Sequence, residues 1–202
     1  MSKQGKTALV VIGAVAVVVL GIARCGVNAY NGMVAQEEQV TSAWAEVQNQ
    51  YQRRYDLIPN VVATVQGYAA HESDVFTQVT DARSRAGGVI NVSGDVLNDP
   101  DAFARYQQIQ DGLGASLQRL LAVSENYPAL KADQNFLALQ DQLEGTENRI
   151  AVARNRFNEA AERYNRFIRQ FPNSFIARRA GFERKSYFTA TAEAQTAPRV
   201  QF

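Results

Sequence analysis

Residues 133–171, DQNFLALQDQLEGTENRIAVARNRFNEAAERYNRFIRQF, decide the fold of this chain. Their apolar side chains recur mostly at intervals of three or four residues. The apolar positions are Phe136, Leu139, Leu143, Ile150, Ala153, Phe157, Ala160, Tyr164, Phe167 and Phe171. This spacing predicts one amphipathic helix between Asp133 and Pro172, about 57 Å long at 1.5 Å per residue. Such a helix needs other helices to cover its apolar face.

Three further segments have the same helical spacing of apolar residues. Residues 27–58 form the first predicted helix, residues 56–88 the second and residues 99–128 the third, with a polar loop at residues 91–98. Short links between long amphipathic helices make neighbours antiparallel, and no segment alternates with the two-residue period of a strand. The predicted fold is all-α, a long antiparallel up-and-down four-helix bundle over residues 28–171.

Capping residues set the predicted helix boundaries. Asp56 is followed three residues later by Pro59, so we expect the second helix to start there, with the acid as its cap and the proline in its first turn. Asp99 followed by Pro100 predicts the start of the third helix in the same way. Asp133 predicts the start of the fourth.

An uncharged apolar segment precedes the predicted bundle. Residues 8–23, ALVVIGAVAVVVLGIA, span about 24 Å as a helix. Extension to residue 27 gives about 30 Å, the thickness of a hydrocarbon core, provided that Arg24 snorkels toward the headgroups. We therefore expect residues 1–27 to contain a short N-terminus and a single transmembrane helix.

The charges beside this segment predict its orientation. Lys3 and Lys6 precede it, whereas only Arg24 follows it closely. The positive-inside rule then places the N-terminus in the cytoplasm and the bundle on the other side of the membrane.

Two processing events are alternatives to a retained anchor. Cys25 is a candidate for lipidation after a signal segment, but a lipobox needs a small neutral residue where Arg24 stands. Cleavage after Val27-Asn28-Ala29 satisfies a small-x-small rule, but Arg24 lies between the apolar segment and that site. The retained helix is the favoured reading.

Charge and composition exclude several classes of function. The net charge is +1, with 13 basic and 18 acidic side chains in residues 25–171 and five basic against two acidic after them. No basic stripe for nucleic acid is present. Cys25 and His71 are the only residues of their types, which argues against zinc, haem and two-histidine catalysis. His71-Glu72 begins like the H-E-x-x-H zinc motif, but Val75 occupies the position of the second histidine. No cofactor or catalytic residue is predicted.

Polar residues form two clusters, one at the end of the first predicted helix and one on the fourth. Glu147 occupies an apolar position between Leu143 and Ile150, so we expect its carboxylate to turn inward and to pair with Arg53 or Arg54 of the first helix. A buried ion pair that sets helix register is favoured over a catalytic or ligand site. The predicted structural network comprises Arg53, Arg54, Asp56, Glu144, Glu147, Asn148 and Arg149.

Residues 172–202 form a tail in which aromatic and basic residues alternate. Such interleaving is typical of a lipid interface. In an up-and-down bundle the fourth helix ends on the membrane side, so we expect the tail to lie near the bilayer. The predicted interface residues are Phe175, Ile176, Arg178, Arg179, Phe182, Arg184, Lys185, Tyr187 and Phe188.

Several ordered motifs resemble the LemA family from Ala29 to Pro198. They are Ala29-Tyr30-Asn31, Ala43-Trp44, RRYDLIPN at 53–60, Gly67-Tyr68, His71-Glu72, Ala82-Arg83, YPALKA at 127–132, LEGTENRIAVAR at 143–154, Tyr164-Asn165 and Phe171-Pro172. The resemblance implies a helical bundle behind an N-terminal anchor and no enzymatic activity. It also implies a link to the cell envelope and, for some relatives, to the shaping of internal membranes.

Two non-catalytic functions follow from these expectations. The first is an envelope scaffold that self-associates as a homo-oligomer in the membrane, with the basic aromatic tail on membrane lipid. The second is a membrane-tethered binding module for a different envelope protein, such as a sensor kinase or a protease.

Overall fold

The computed structural model describes residues 3–89 and 94–189, with side chains from Ile12 onward except at residues 94 and 95. The side chains of Lys3 and Lys6, part of the predicted loop and the tail beyond Thr189 lie outside this part of the chain. All regular elements within it are helical, which confirms the all-α class there. The α-helices are α1 (Lys3–Gln66), α2 (Ser73–Gly87), α3 (Pro100–Val123), α4 (Pro128–Lys131), α5 (Gln134–Arg169) and α6 (Asn173–Ala180).

The first helix, α1, runs for 64 residues, about 96 Å at the rise of an α-helix. Its N-terminal part is long and apolar enough to cross a membrane, and almost none of that part is buried. The predicted helix break at Asp56 is wrong, because Pro59 lies inside α1 and the chain turns only at residues 67–72. The carboxylate of Asp56 accepts a hydrogen bond from Gln52 Nε2 of the same helix, 2.8 Å away.

Packing explains why Pro59 does not end α1. Ile58, Val61 and Val65 continue the buried stripe of the helix on both sides of the proline, and each is at most 1 % exposed. Burial of one such side chain stabilises the fold by about 1.5–3 kcal/mol. Together the three outweigh an internal proline, which costs about 3 kcal/mol. Tertiary contacts therefore keep α1 helical through a local stop signal.

The longest interface in the bundle joins α1 and α5. The two helices run in opposite directions, because residues later in α1 meet residues earlier in α5. The contacts that establish this order are Gly32 with Phe167, Tyr51 with Arg154, and Arg54 with Glu147. α2 packs on α3, and this pair covers the remaining apolar face of α1.

Two hydrophobic clusters fill the bundle, one on each side of Arg54. The cluster nearer the apolar anchor contains Met33, Val40, Trp44, Val47, Tyr51, Phe103, Tyr106, Ile150, Phe157 and Tyr164. The cluster farther from the anchor contains Ile58, Val61, Val65, Phe76, Val79, Leu113, Leu117, Leu120, Phe136 and Leu143. The core is therefore divided by a polar layer at the level of Arg54.

Two of the predicted helix starts are confirmed by their caps. The Asp99 side chain accepts hydrogen bonds from the backbone N–H groups of Asp101 and Ala102, and the Asp133 side chain accepts one from Phe136 N–H. Phe171 was expected in the core stripe of the fourth helix. That expectation is wrong, because α5 ends at Arg169 and Phe171 is 90 % exposed.

The predicted tail packs on the bundle as far as Thr189. After α6 the chain is extended, and two asparagines of α5 fix it by reciprocal hydrogen bonds. Asn165 Nδ2 donates to the Lys185 carbonyl and its Oδ1 accepts from Lys185 N–H. Asn158 holds Phe188 in the same manner. The expected lipid contact is wrong for Lys185 and Phe188, because both side chains are buried in the bundle.

The remaining predicted tail residues differ in burial. Ile176 and Phe182 are half-buried against the cluster nearer the anchor. Lys185 Nζ binds Glu37 Oε1 and Asn98 Oδ1, each at 2.7 Å, so its charge is satisfied inside the fold. The residues that remain exposed are Phe175, Arg178, Arg179, Arg184 and Tyr187.

Phe188 and Phe175 form a matched pair for testing whether the tail is part of the core. The Phe188 ring lies 4.8 Å from that of Phe103 and 5.4 Å from that of Phe157. We expect Phe188→Ala to lower the free energy of unfolding by about 3 kcal/mol, as loss of a buried ring does. Phe175→Ala, at a position 76 % exposed, changes it by less than about 0.5 kcal/mol in detergent. Equal melting temperatures of the two variants contradict the packed tail.

Candidate functional site

Arg54 lies at the centre of the polar layer between the two hydrophobic clusters. It is 2 % exposed and is among the largest fully buried side chains of the described residues. Its Nη1 donates to Glu147 Oε1 of α5 at 3.1 Å, and its Nη2 donates to the Gln110 carbonyl and Oε1 of α3 at 2.9 and 2.7 Å. One guanidinium of α1 thus connects α3 and α5.

The structure buries the other member of the ion pair from the one that the sequence predicts. Arg54 and Glu147 do pair, but the carboxylate is 40 % exposed and faces the edge of the bundle. The arginine is the member that extends through the core. Burial of a charge without a partner is costly, so Glu147 and Gln110 together keep this guanidinium inside the fold.

A second arginine completes the layer. Arg154 Nη2 lies 2.6 Å from Asp111 Oδ1, and Arg154 Nε donates to the Tyr51 hydroxyl at 2.6 Å. Both guanidiniums lie near the Tyr51 ring, with the Cζ atoms of Arg54 and Arg154 at 5.1 and 5.5 Å from its centroid. Cations near an aromatic face at such distances are attracted by its quadrupole.

Burial governs the ionisation of the two central tyrosines. It raises the pKa of Tyr51 to about 12, although Arg154 and Arg54 act in the opposite direction. Burial also raises the pKa of Tyr106 above its ordinary value. Both phenols are therefore protonated at neutral pH, and neither can serve as a general base there.

The polar layer opens to solvent through a cleft between α3 and α5. This cleft has a volume of about 580 Å³ and is lined by Arg54, Asp111, Gly114, Gln118, Glu147, Arg154 and, at its anchor-side end, Phe188 and Thr189. Gly114 lies against the Arg54 guanidinium, and a Cβ there would be in van der Waals contact with Nη1 at 3.4 Å. A second cavity of about 350 Å³ shares three of these residues and extends the cleft toward Leu121 and Leu143.

The chemistry of the cleft is that of paired charges. Its two arginines and two carboxylates neutralise one another, and the buried Tyr51 hydroxyl behind it is protonated, so these residues place no base next to a nucleophile. In the part of the chain whose side chains are described, no three His, Cys, Asp or Glu residues lie together as a metal site. The arrangement instead joins α1, α3 and α5 through charge-assisted hydrogen bonds.

Most of the other predicted network residues lie outside this layer. Arg53, Asp56, Glu144, Asn148 and Arg149 are exposed. The structure adds Tyr51, Gln110, Asp111 and Arg154, which the predicted network did not contain. Gln110 and Asp111 follow directly on Ile109 of the third apolar stripe, and a polar pair beside a stripe is the signal that could have indicated them.

The ion pair is testable by a double-mutant cycle with Arg54→Met. We expect Glu147→Gln to lower the free energy of unfolding by about 2 kcal/mol, because it weakens the hydrogen bonds of a buried charge. In the Arg54→Met background the same change costs less than about 0.5 kcal/mol. Glu144→Gln, one turn earlier on α5 and bonded only to Gln140, is the matched control and leaves the melting temperature unchanged. Equal effects of Glu147→Gln and Glu144→Gln contradict the pairing.

Comparisons with known proteins agree with the motifs. The chain is 29 % identical over 174 residues to Magnetosome protein MamQ of Magnetospirillum gryphiswaldense, a match that covers 79 % of this chain and 64 % of that protein. It is 30 % identical, with the same coverage, to Magnetosome protein MamQ 2 of Paramagnetospirillum magneticum. It is 20 % identical over 161 residues to Protein LemA of Metamycoplasma hominis, covering 80 % of this chain and 69 % of that protein.

The chain thus spans 64 % of the length of the magnetosome proteins that it matches. The profile of the LemA family matches residues 43–202, which include α2 to α6, most of the soluble part of α1 and every residue of the polar layer. The chain therefore belongs to the LemA family.

Proposed function

We propose that this LemA family protein is a non-catalytic scaffold of the bacterial cell envelope that is anchored by α1 and self-associates in the membrane. The names of its relatives, Magnetosome protein MamQ and Protein LemA, denote no reaction, which supports a role without catalysis. The paired charges of the cleft support the same conclusion. The proposed location is the inner membrane, with the N-terminus in the cytoplasm and the bundle outside it, as the lysines near the N-terminus indicate.

One observation carries the proposal of self-association: an exposed apolar stripe on α1 that continues from the anchor into the bundle. The stripe follows the seven-residue repeat of a coiled coil. Its members, all of them exposed, are Gly13, Ala16, Leu20, Ala23, Val27, Tyr30 and Val34. Val27 is 59 % exposed and Val34 37 %, so α5 and α6 leave this side of α1 largely uncovered.

The composition of the stripe suits contact between two copies of α1. Gly13, Ala16 and Ala23 are small, and small residues let transmembrane helices approach closely. Val27, Tyr30 and Val34 extend the same seam beyond the anchor, where apolar side chains gain from leaving water. Two copies inserted in one membrane share the same direction, so the contact is a parallel one.

The cleft between α3 and α5 favours a second candidate function. An open cavity of about 580 Å³ with charged walls is a surface that a segment of another envelope protein can enter. On that proposal the chain is a membrane-tethered binding module. A pull-down that recovers one stoichiometric heterologous protein supports it, whereas recovery of copies of this chain alone supports the scaffold.

Disulfide cross-linking in the membrane tests the self-associating stripe. In a Cys25→Ser background, Val34→Cys places a thiol on the seam, and we expect oxidation to link two chains efficiently. Gln39→Cys is the matched control, because this residue is also exposed but lies about 140° around the helix from Val34. Cross-linked dimer is measured on non-reducing gels as a fraction of total chain.

The native thiol gives a second control. Cys25 is exposed and lies about 160° around α1 from Val27, so the unmodified chain is expected to cross-link as poorly as the Gln39→Cys variant. Equal yields from Val34→Cys and Gln39→Cys would remove the stripe as an interface. A linked product heavier than one chain but different in mass from two would favour the binding module.

A further inference from the structure

One end of the bundle carries an exposed cluster of aromatic and basic residues that no other part of the described chain covers. Phe175 is 76 % exposed, and Arg178 and Arg179 are exposed with it. These positions follow the i, i+3, i+4 pattern, so they share one face of α6. Ala177, on the other side of α6, is buried in the bundle. Phe171, in the turn that leads into α6, is 90 % exposed.

Contacts with α1 place this cluster close to the anchor. After α6 in the chain, the ring centroid of Phe182 lies 5.5 Å from that of Tyr30. At the start of α6, the Asn173 side chain donates a hydrogen bond to the carbonyl of Phe167, whose ring lies over Gly32. Both ends of α6 are therefore held at the level of residues 30–32 of α1. The helix crosses the anchor-side end of the bundle instead of extending it.

The level of the membrane surface follows from α1 itself. Arg24 is the first charged residue after the apolar segment, six residues before Tyr30 and eight before Gly32. At 1.5 Å per residue α6 is held about 9–12 Å above Arg24 and about 5–8 Å above residue 27, where the hydrocarbon core is predicted to end. The headgroup layer on each side of a bilayer is about 5–8 Å thick, and side chains on the anchor-facing side of α6 extend several Å toward it.

We propose that Phe171, Phe175, Arg178 and Arg179 form a lipid-binding surface that rests in the headgroup layer of the membrane that holds α1. The phenylalanine rings enter the boundary of the acyl chains, and the guanidiniums bind lipid phosphates. This inference rests on the membrane-anchored placement proposed above. It assigns the contact to α6 and the turn before it, while Lys185 and Phe188 belong to the core.

Charge favours lipid over a second copy of the chain as the occupant. Arg178 and Arg179 form no ion pair with any other residue that the structure describes. Anionic headgroups satisfy two adjacent guanidiniums by bidentate hydrogen bonds to phosphate. The same face of a second copy would oppose like charges, which disfavours association. An apolar group combined with arginines at this height is typical of interfacial helices.

Tryptophan fluorescence in liposomes tests this surface. The full chain with Phe175→Trp is reconstituted into liposomes that contain phospholipids brominated near the carbonyl end of the acyl chain. We expect the added indole to lose roughly half of its fluorescence, because an indole at headgroup level contacts the brominated segments. Leu137→Trp is the matched control, since Leu137 is 43 % exposed near the opposite end of α5. The native Trp44, only 3 % exposed, is an unquenched reference in both variants.

The outcomes separate this inference from the proposed function. Flotation with the liposomes is measured first, and a chain that stays at the bottom contradicts the anchor and this surface together. A chain that floats with Phe175→Trp as unquenched as Leu137→Trp overturns the lipid surface alone. Blue-shifted but unquenched emission, which a second protein copy over α6 would give, also overturns it.

The arginines have a separate test in the same liposomes. With anionic lipid present, Arg178→Gln combined with Arg179→Gln is expected to reduce the quenching of the Phe175→Trp indole, because the phosphate contacts that hold α6 down are lost. The loss is expected to be absent in liposomes of zwitterionic lipid at high salt, where the charges are screened. Quenching that is unchanged in anionic liposomes removes the arginines from the proposed surface.

Discussion

The contact between α1 and α5 is the constraint on which the rest of this structure depends. It buries the stripe of α1 on a second long helix, and it positions Asn158 and Asn165 to fix the chain after α6. α1 contains both the apolar N-terminal segment and this stripe, so the two are joined by continuous helix and not by a loop. The orientation of the bundle therefore follows that of the anchor.

We interpret the polar layer around Arg54 as the feature that selects one register between α1 and its partner helices. Burial of apolar side chains alone does not distinguish between neighbouring registers. Long amphipathic helices can pack in registers that differ by one turn with similar burial of apolar area. A guanidinium that bonds both Gln110 and Glu147 reaches the two partners in only one of those registers. Replacing a buried ion pair by apolar residues is often neutral in stability, so we interpret this layer as a device for register more than for stability.

Sequence reasoning succeeded where the determining interaction is local. Asp99 and Asp133 cap their helices through bonds to residues two or three positions away, and such patterns are visible in the sequence. Glu147 was recognisable because a charge interrupts an apolar stripe. In each case the neighbours along the chain carried the necessary information.

Sequence reasoning failed where contacts between residues far apart in the chain determine the structure. Pro59 is a local stop signal, yet α1 continues because the side chains around it are buried by α2 and α3. Lys185 and Phe188 resemble interfacial residues, but their partners lie 148 residues away at Glu37 and 30 residues away at Asn158. An extended segment has no helical period that could have indicated which of its side chains turn inward.

The length of α1 between the anchor and its C-terminal end is the most direct test of the account. A spin label on the native Cys25 and another on Gln66→Cys, both exposed sites, report this length by pulsed electron resonance in liposomes. The labelled chain is diluted with an excess of unlabelled Cys25→Ser chain, so that distances between two copies do not contribute. A continuous helix predicts one narrow distribution at about 60 Å, since 41 residues separate the two sites. A distribution at about 30 Å, which a reversal of the chain at Asp56 would give, contradicts the account.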